Sequence, residues 1–119
     1  MHALIIEQDI WVIMMIEDVL RELGYTSFDT AASVDDAIDS AQRRCPALIT
    51  SDLRLDSGTG VEAVRHICSD RPIPIVFVTA TPWEIEALTD EAVIVPKPFG
   101  TDSLKAGVIR AMQAPSAMV

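Results

Sequence analysis

Short apolar runs alternate with longer amphipathic stretches along the whole chain. The first run, "ALII" at 3–6, reads as a buried strand. Residues 9–23 then place Val12, Ile16, Val19, Leu20 and Leu23 on one helical face, with Asp9 set to cap the start and Gly24 the end. "YTSFDTA" at 25–31 predicts a second strand. "SVDDAIDSAQRR" at 33–44 predicts a helix opened by a Ser33 cap, with Val34, Ala37, Ile38 and Ala41 together. "ALITS" at 47–51 is a third strand, entered after Pro46. "SGTGVEAVRHICSD" holds a third helix that turns Val61, Val64, Ile67 and Cys68 inward. "PIVFVTA" at 74–80 is the most apolar strand, and "TPWEIEAL" predicts a short helix with Pro82 in its first turn. "AVIV" at 92–95 is a fifth strand. Residues 101–113 predict a last helix, capped by Thr101 or Asp102.

Five strand–helix units with near-continuous apolar strands argue for an α/β fold, a parallel sheet covered by helices on both faces. Right-handed crossovers suggest a doubly wound five-stranded sheet in the order 2-1-3-4-5, with its fourth helix short. A chain of 119 residues suits one such domain, over 1–113, followed by a tail at 114–119. In these sheets, sites form where strands end, beside the switch point between the first and third strands.

The residues at those ends are chemically suggestive. The first strand ends in Glu7-Gln8-Asp9, the third in Asp52, the fourth in Thr79 and the fifth in Lys97-Pro98. Crowded carboxylates call for a cation, and hard oxygen donors suit Mg²⁺. An ammonium and a hydroxyl suit the oxygens of a phosphoryl group. "IIEQDIW" contains no glycine, which argues against a nucleotide-cradling loop, so a phosphoryl group handled here is expected to be covalent, on a carboxylate.

Charge and composition narrow the function further. The net charge is −9, and residues 1–60 carry 11 acids against 4 bases, so no basic footprint for nucleic acid is present. No apolar run approaches the roughly 20 residues that span a bilayer, and the N-terminus lacks a signal-peptide pattern, so a cytoplasmic protein is expected. Cys45 and Cys68 lack metal-type spacing and are expected to be reduced, and no functional role is expected for His2 or His66.

The acids after the first strand, "ITSDLRL" ending the third, "GTGVEAV" after it, "PIVFVTA" and "KPF" stand in order at compatible spacing over residues 2–113. Jointly they make the chain resemble the response-regulator receiver domains of two-component signalling, the CheY-like superfamily. The resemblance implies a phosphoprotein of a phosphorelay, not an enzyme on a separate substrate. Asp52 would accept a phosphoryl group from a sensor histidine kinase or phosphotransfer protein. Glu7, Gln8, Asp52 and the Arg54 carbonyl would hold Mg²⁺, with Asp9 as a further candidate. Thr79 and Lys97 would bind phosphoryl oxygens, and a cis Lys97–Pro98 peptide would aim the lysine inward.

The sequence also departs from that family. Gln8 stands where an aspartate usually binds the metal, which predicts weakened Mg²⁺ binding. Ile94 replaces the usual switching aromatic, and the segment from Thr79 to Lys97 is short, which predicts an altered switch. Trp11, Met14 and Met15 fall toward the acidic arc of the first helix, as wide core cover or as a partner surface for a kinase helical bundle or a homodimer. Trp83 is a further exposed aromatic. The expected function is a stand-alone receiver acting through protein contacts or as a phosphate sink. The alternatives are a pseudo-receiver working without phosphorylation and, more distantly, a small-molecule enzyme of flavodoxin-like fold.

Overall fold

The computed structural model describes residues 1–88 and 92–113, so the expected tail at 114–119 lies outside the described residues. The elements run β1 (His2–Ile6), α1 (Ile10–Glu22), β2 (Ser27–Ala31), α2 (Val34–Arg43), β3 (Leu48–Ser51), α3 (Gly60–Ile67), β4 (Ile75–Thr79), α4 (Pro82–Glu86), β5 (Val93–Pro96) and α5 (Thr101–Gln113). The strands form one parallel sheet in the order β2-β1-β3-β4-β5, with β1 and β3 side by side at the switch point. The predicted α/β architecture and the short α4 are both found. Among the described residues no helix is long and apolar enough to cross a membrane.

Alternation along each strand feeds two cores. Leu4, Ile6, Ile49 and Phe77 point to one face, where Val61, Val64 and Ile67 of α3 and Ile85 of α4 cover them. Ala3, Ile5, Leu48, Val76 and Val78 point to the other, against Ile16 and Leu20 of α1 and Leu104 and Val108 of α5. The central strands are buried on both sides, which is why they read as near-continuous apolar runs.

Local chemistry sets the ends of the helices. Asp9 caps α1, accepting from Trp11 N at 2.9 Å, and Ser33 caps α2, accepting from Asp36 N at 3.2 Å. Thr59 caps α3 through Glu62 N. Gly24, at φ 100°, follows Leu23 and turns the chain out of α1 in a conformation that costs glycine little. One expectation is refined and one needs correction. The α1 stripe centres on Ile13, Ile16, Val19 and Leu20, while Val12 and Leu23 lie at its half-buried margins. Neither Thr101 nor Asp102 caps α5: both lie in its first turn, and the Gly100 carbonyl accepts the first helical bond, from Leu104 N at 3.2 Å. Ser103 Oγ supplies the missing acceptor for Gly100 N at 3.1 Å.

Two polar features sit within the sheet. His2 is buried and hydrogen-bonded to Ser27 Oγ at 2.6 Å and Asp29 Oδ2 at 2.9 Å, which ties β1 to the edge strand β2. These partners are distant in sequence, so residue spacing alone does not show them. Thr50, between Ile5 and Val76, is 1% exposed, and its hydroxyl has no partner.

Candidate functional site

The sheet ladder carries the candidate residues to one rim. Just past β1, Glu7 N donates to Ala31 O at 2.9 Å, and just past β3, Asp52 N donates to Ile6 O at 2.9 Å. Thr79 closes β4, and Lys97 N, just past β5, donates to Thr79 O at 2.8 Å. Each functional position is thus fixed by a backbone bond to the neighbouring strand rather than left to a loop.

Side chains then converge. Lys97 Nζ donates to Glu7 Oε1 at 2.8 Å and to Asp52 Oδ2 at 3.1 Å. The other oxygen of Glu7 accepts from the amides of Gln8 and Asp9, both at 3.1 Å, and Asp52 Oδ1 accepts from Leu53 N at 2.7 Å. Burial of the Lys97 ammonium pulls its pKa down, but hydrogen bonds and charge from Glu7 and Asp52 outweigh it and hold the group above the ordinary lysine value. Lys97 therefore stays charged and neutralises one of two adjacent carboxylates. The Lys97–Pro98 peptide is cis.

A close approach of α3 secures the Asp52 backbone. A Cβ on Gly60 would collide with the Asp52 carbonyl oxygen and with Ser51 Oγ, so only glycine lets α3 start here. Ser51 Oγ donates to the same carbonyl at 2.8 Å, and Gly60 N donates to Leu53 O at 2.7 Å. That last bond closes the Arg54–Thr59 bridge without consuming the Arg54 carbonyl.

The remaining candidates sit differently. Thr79 is buried at the rim, but its hydroxyl accepts from Thr81 N at 3.1 Å and shares a bond with Thr81 Oγ1 at 3.3 Å. Gln8 is exposed, and Asp9 Oδ1 is engaged in capping α1. Among the described residues no group of three or more His, Cys, Asp or Glu side chains could hold a metal ion. Two carboxylates and the Arg54 backbone carbonyl, which accepts no hydrogen bond among the described residues, are nonetheless hard oxygen donors, and they fit a Mg²⁺ ion that keeps several waters. Ile94 is half-buried against the α3 face of the sheet. Trp11, Met14 and Met15 are 71%, 49% and 48% exposed, so they are surface, not core, and Ile10 extends them. Beside Met15, a groove of about 470 Å³ runs between α1 and the start of α5, lined by Asp18, Val19, Glu22, Phe99 and Thr101. Sequence reasoning missed the pairing of Arg54 with Glu84 of α4, at 2.8 and 2.9 Å.

Known proteins share the sequence pattern and the fold. The family model of the response regulator receiver domain matches residues 3–109. The phyllosphere-induced regulator PhyR of Methylorubrum extorquens is 30% identical over 93% of this chain and 43% of its own length. The transcriptional regulatory protein PdtaR of Mycobacterium tuberculosis is 32% identical over 66% of this chain and 38% of its own length. The chain thus spans less than half of either relative. Among solved structures, the Erythrobacter litoralis PhyR receiver domain superposes with a TM-score of 0.88 at 28% identity, covering 98% of this chain and 92% of that one. The response regulator PhyR of Brucella abortus gives 0.83 at 29% identity, over 94% of this chain and 47% of that one. The sheet order, the rim carboxylates with their lysine, and these matches together make the chain a member of the response regulator receiver domain family.

Proposed function

We propose that this receiver is a cytoplasmic phosphoacceptor that takes a phosphoryl group onto Asp52 from a phosphohistidine of a sensor kinase or phosphotransfer protein. The observation that carries the reading is the Lys97 ammonium, 3.1 Å from Asp52 Oδ2 and 2.8 Å from Glu7 Oε1. A carboxylate oxygen of Asp52 attacks phosphorus as the P–N bond to the donor breaks. The donor departs as neutral imidazole with a proton on its other ring nitrogen, and a mixed anhydride remains on Asp52. Leu53 N orients the nucleophile, and Lys97 keeps its charge to hold a phosphoryl oxygen. The Thr79 hydroxyl reaches that group by leaving Thr81.

Glu7, Asp52 and the Arg54 carbonyl, with Gln8 as a weaker neighbour, would hold Mg²⁺. Bound there, the ion supplies positive charge to phosphoryl oxygens. The apolar strip Ile10, Trp11, Met14 and Met15, bordered by Asp18 and Glu22, suits a helical-bundle partner with basic flanks. A second copy of the chain, docked through the same strip, is the other candidate, since Glu22 is already paired with Lys105 at 3.0 Å and Asp18 with Arg21 at 3.8 Å. Output passes through protein contacts or through consumption of phosphate, and the missing aromatic at Ile94 gives an altered α4–β5–α5 response.

Incubation with Mg²⁺ and acetyl phosphate or beryllofluoride tests the reading. An adduct that disappears in Asp52→Asn is expected. No adduct, and no labelling by any kinase, favours the second reading of a pseudo-receiver, which the exposed Gln8 and the capping role of Asp9 support.

A further inference from the structure

Of the nine basic residues, only Lys97 and Arg54 lie in loops that leave the carboxyl ends of the strands. Lys97 is occupied by the two carboxylates of the site. Arg54 stands two residues beyond Asp52, and its guanidinium is drawn off to α4. One nitrogen, Nη2, donates to both oxygens of Glu84. The pair bridges the segments that follow the adjacent strands β3 and β4, above the rim that carries Asp52 and Thr79. An anionic donor nearing this rim meets Glu7, Asp9, Asp52 and Glu84, with the one further cation already engaged.

We infer that Arg54 is a donor-capturing, specificity-determining residue and that Glu84 restrains it, so that opening the Arg54–Glu84 pair speeds phosphoryl transfer from small anionic donors. The inference rests on the phosphoacceptor reading above. The pair can open because it is exposed: the side chains are 72% and 34% accessible, and solvent and salt compete with such contacts. Released, the guanidinium presents a planar donor fork to phosphate oxygens on a flexible stem. A kinase that docks its own phosphohistidine gains less from such capture, because its affinity comes from a wider surface. The restraint therefore favours protein donors over metabolite-like phosphodonors.

The test uses phosphoramidate at fixed Mg²⁺ and low salt, with Asp52 labelling followed by intact mass and the fold checked by circular dichroism. Asp52 oxygen attacks phosphorus, the P–N bond breaks, and the zwitterionic donor releases ammonia. Glu84→Gln is expected to raise the rate constant about threefold to tenfold, the scale of one charge on anion capture. The gain should vanish in about 0.5 M salt. It should also be absent when Glu84→Gln is added to Arg54→Gln, and partly retained on Arg54→Lys. If the wild type labels on Asp52 but Glu84→Gln labels no faster, or its gain survives Arg54→Gln or high salt, the inference is overturned and the phosphoacceptor reading stands. If no variant labels and Asp52→Asn behaves as wild type, both fall together.

Discussion

Replacing Lys97 by methionine tests the site's electrostatics without any phosphodonor. The substitution keeps most of the side chain's bulk and removes its charge. At an effective dielectric of about 20, Coulomb's law gives attractions of roughly 6 kcal/mol to Glu7 at 2.8 Å and 5 kcal/mol to Asp52 at 3.1 Å. Desolvation of the three ions and repulsion between the carboxylates cancel much of this. What remains is the cost of leaving Glu7, only 4% exposed, with two backbone amides as its sole partners. Removing one member of a buried pair costs about 3 kcal/mol or more, and the two amides put this case at the low end. Lys97→Met should therefore lose about 3 kcal/mol in urea unfolding followed by circular dichroism in Mg²⁺-free buffer. Glu7→Gln should lose about 1 kcal/mol, since Lys97 keeps Asp52. The double variant should be more stable than Lys97→Met alone, because no buried charge is stranded. A Lys97→Met protein as stable as wild type, or a double variant that simply adds the two losses, would refute this account.

Other outcomes follow from the same geometry. Gly60→Ala should cost about 2 kcal/mol or more by forcing α3 off the Asp52 carbonyl, and amide shifts at 51–54 should move with it. Thr50→Val should raise stability by about 1 kcal/mol in the same urea assay, because it removes a buried hydroxyl that bonds to nothing. Burial raises the Tyr25 pKa above 10.0, and the acid pair raises that of Lys97 above 10.5, so the stability these groups add is complete below those values and is lost as pH climbs through the folded ones. Urea midpoints should fall through that alkaline window, and a Lys97→Met protein should show a shallower fall. Gln8→Asp should tighten Mg²⁺ binding about tenfold by calorimetry, and an unchanged dissociation constant would contradict the ligand role given to that position.

The fold was legible because each strand is short, apolar and punctuated. Pro46 and Pro74 mark the entries to β3 and β4, and Asp9 and Ser33 cap the helices after β1 and β2. The rim was legible for a topological reason: parallel strands all end on one side, so Glu7, Asp52, Thr79 and Lys97 had to share an edge. What sequence did not show depends on side-chain direction. Periodicity cannot place Ile13 ahead of Val12, since both lie within the same wide stripe. Composition does not reveal that Thr79 turns to Thr81, or that Arg54 crosses to Glu84, thirty residues away. The α5 cap was missed because Gly100 contributes only backbone, leaving Thr101 and Asp102 as the visible candidates.

The exposure of Trp11 has an optical consequence. The chain has two tryptophans, and Trp11 and Trp83 are 71% and 62% accessible, so neither is packed in a core. Native emission should already resemble that of an indole in water, and unfolding should change it little. The same property makes Trp11 a quiet reporter: a partner that covers the first turns of α1 would shift its emission to the blue against an almost flat background. Trp83, one residue before Glu84, offers a second signal at the same strand ends, beside the Arg54–Glu84 contact.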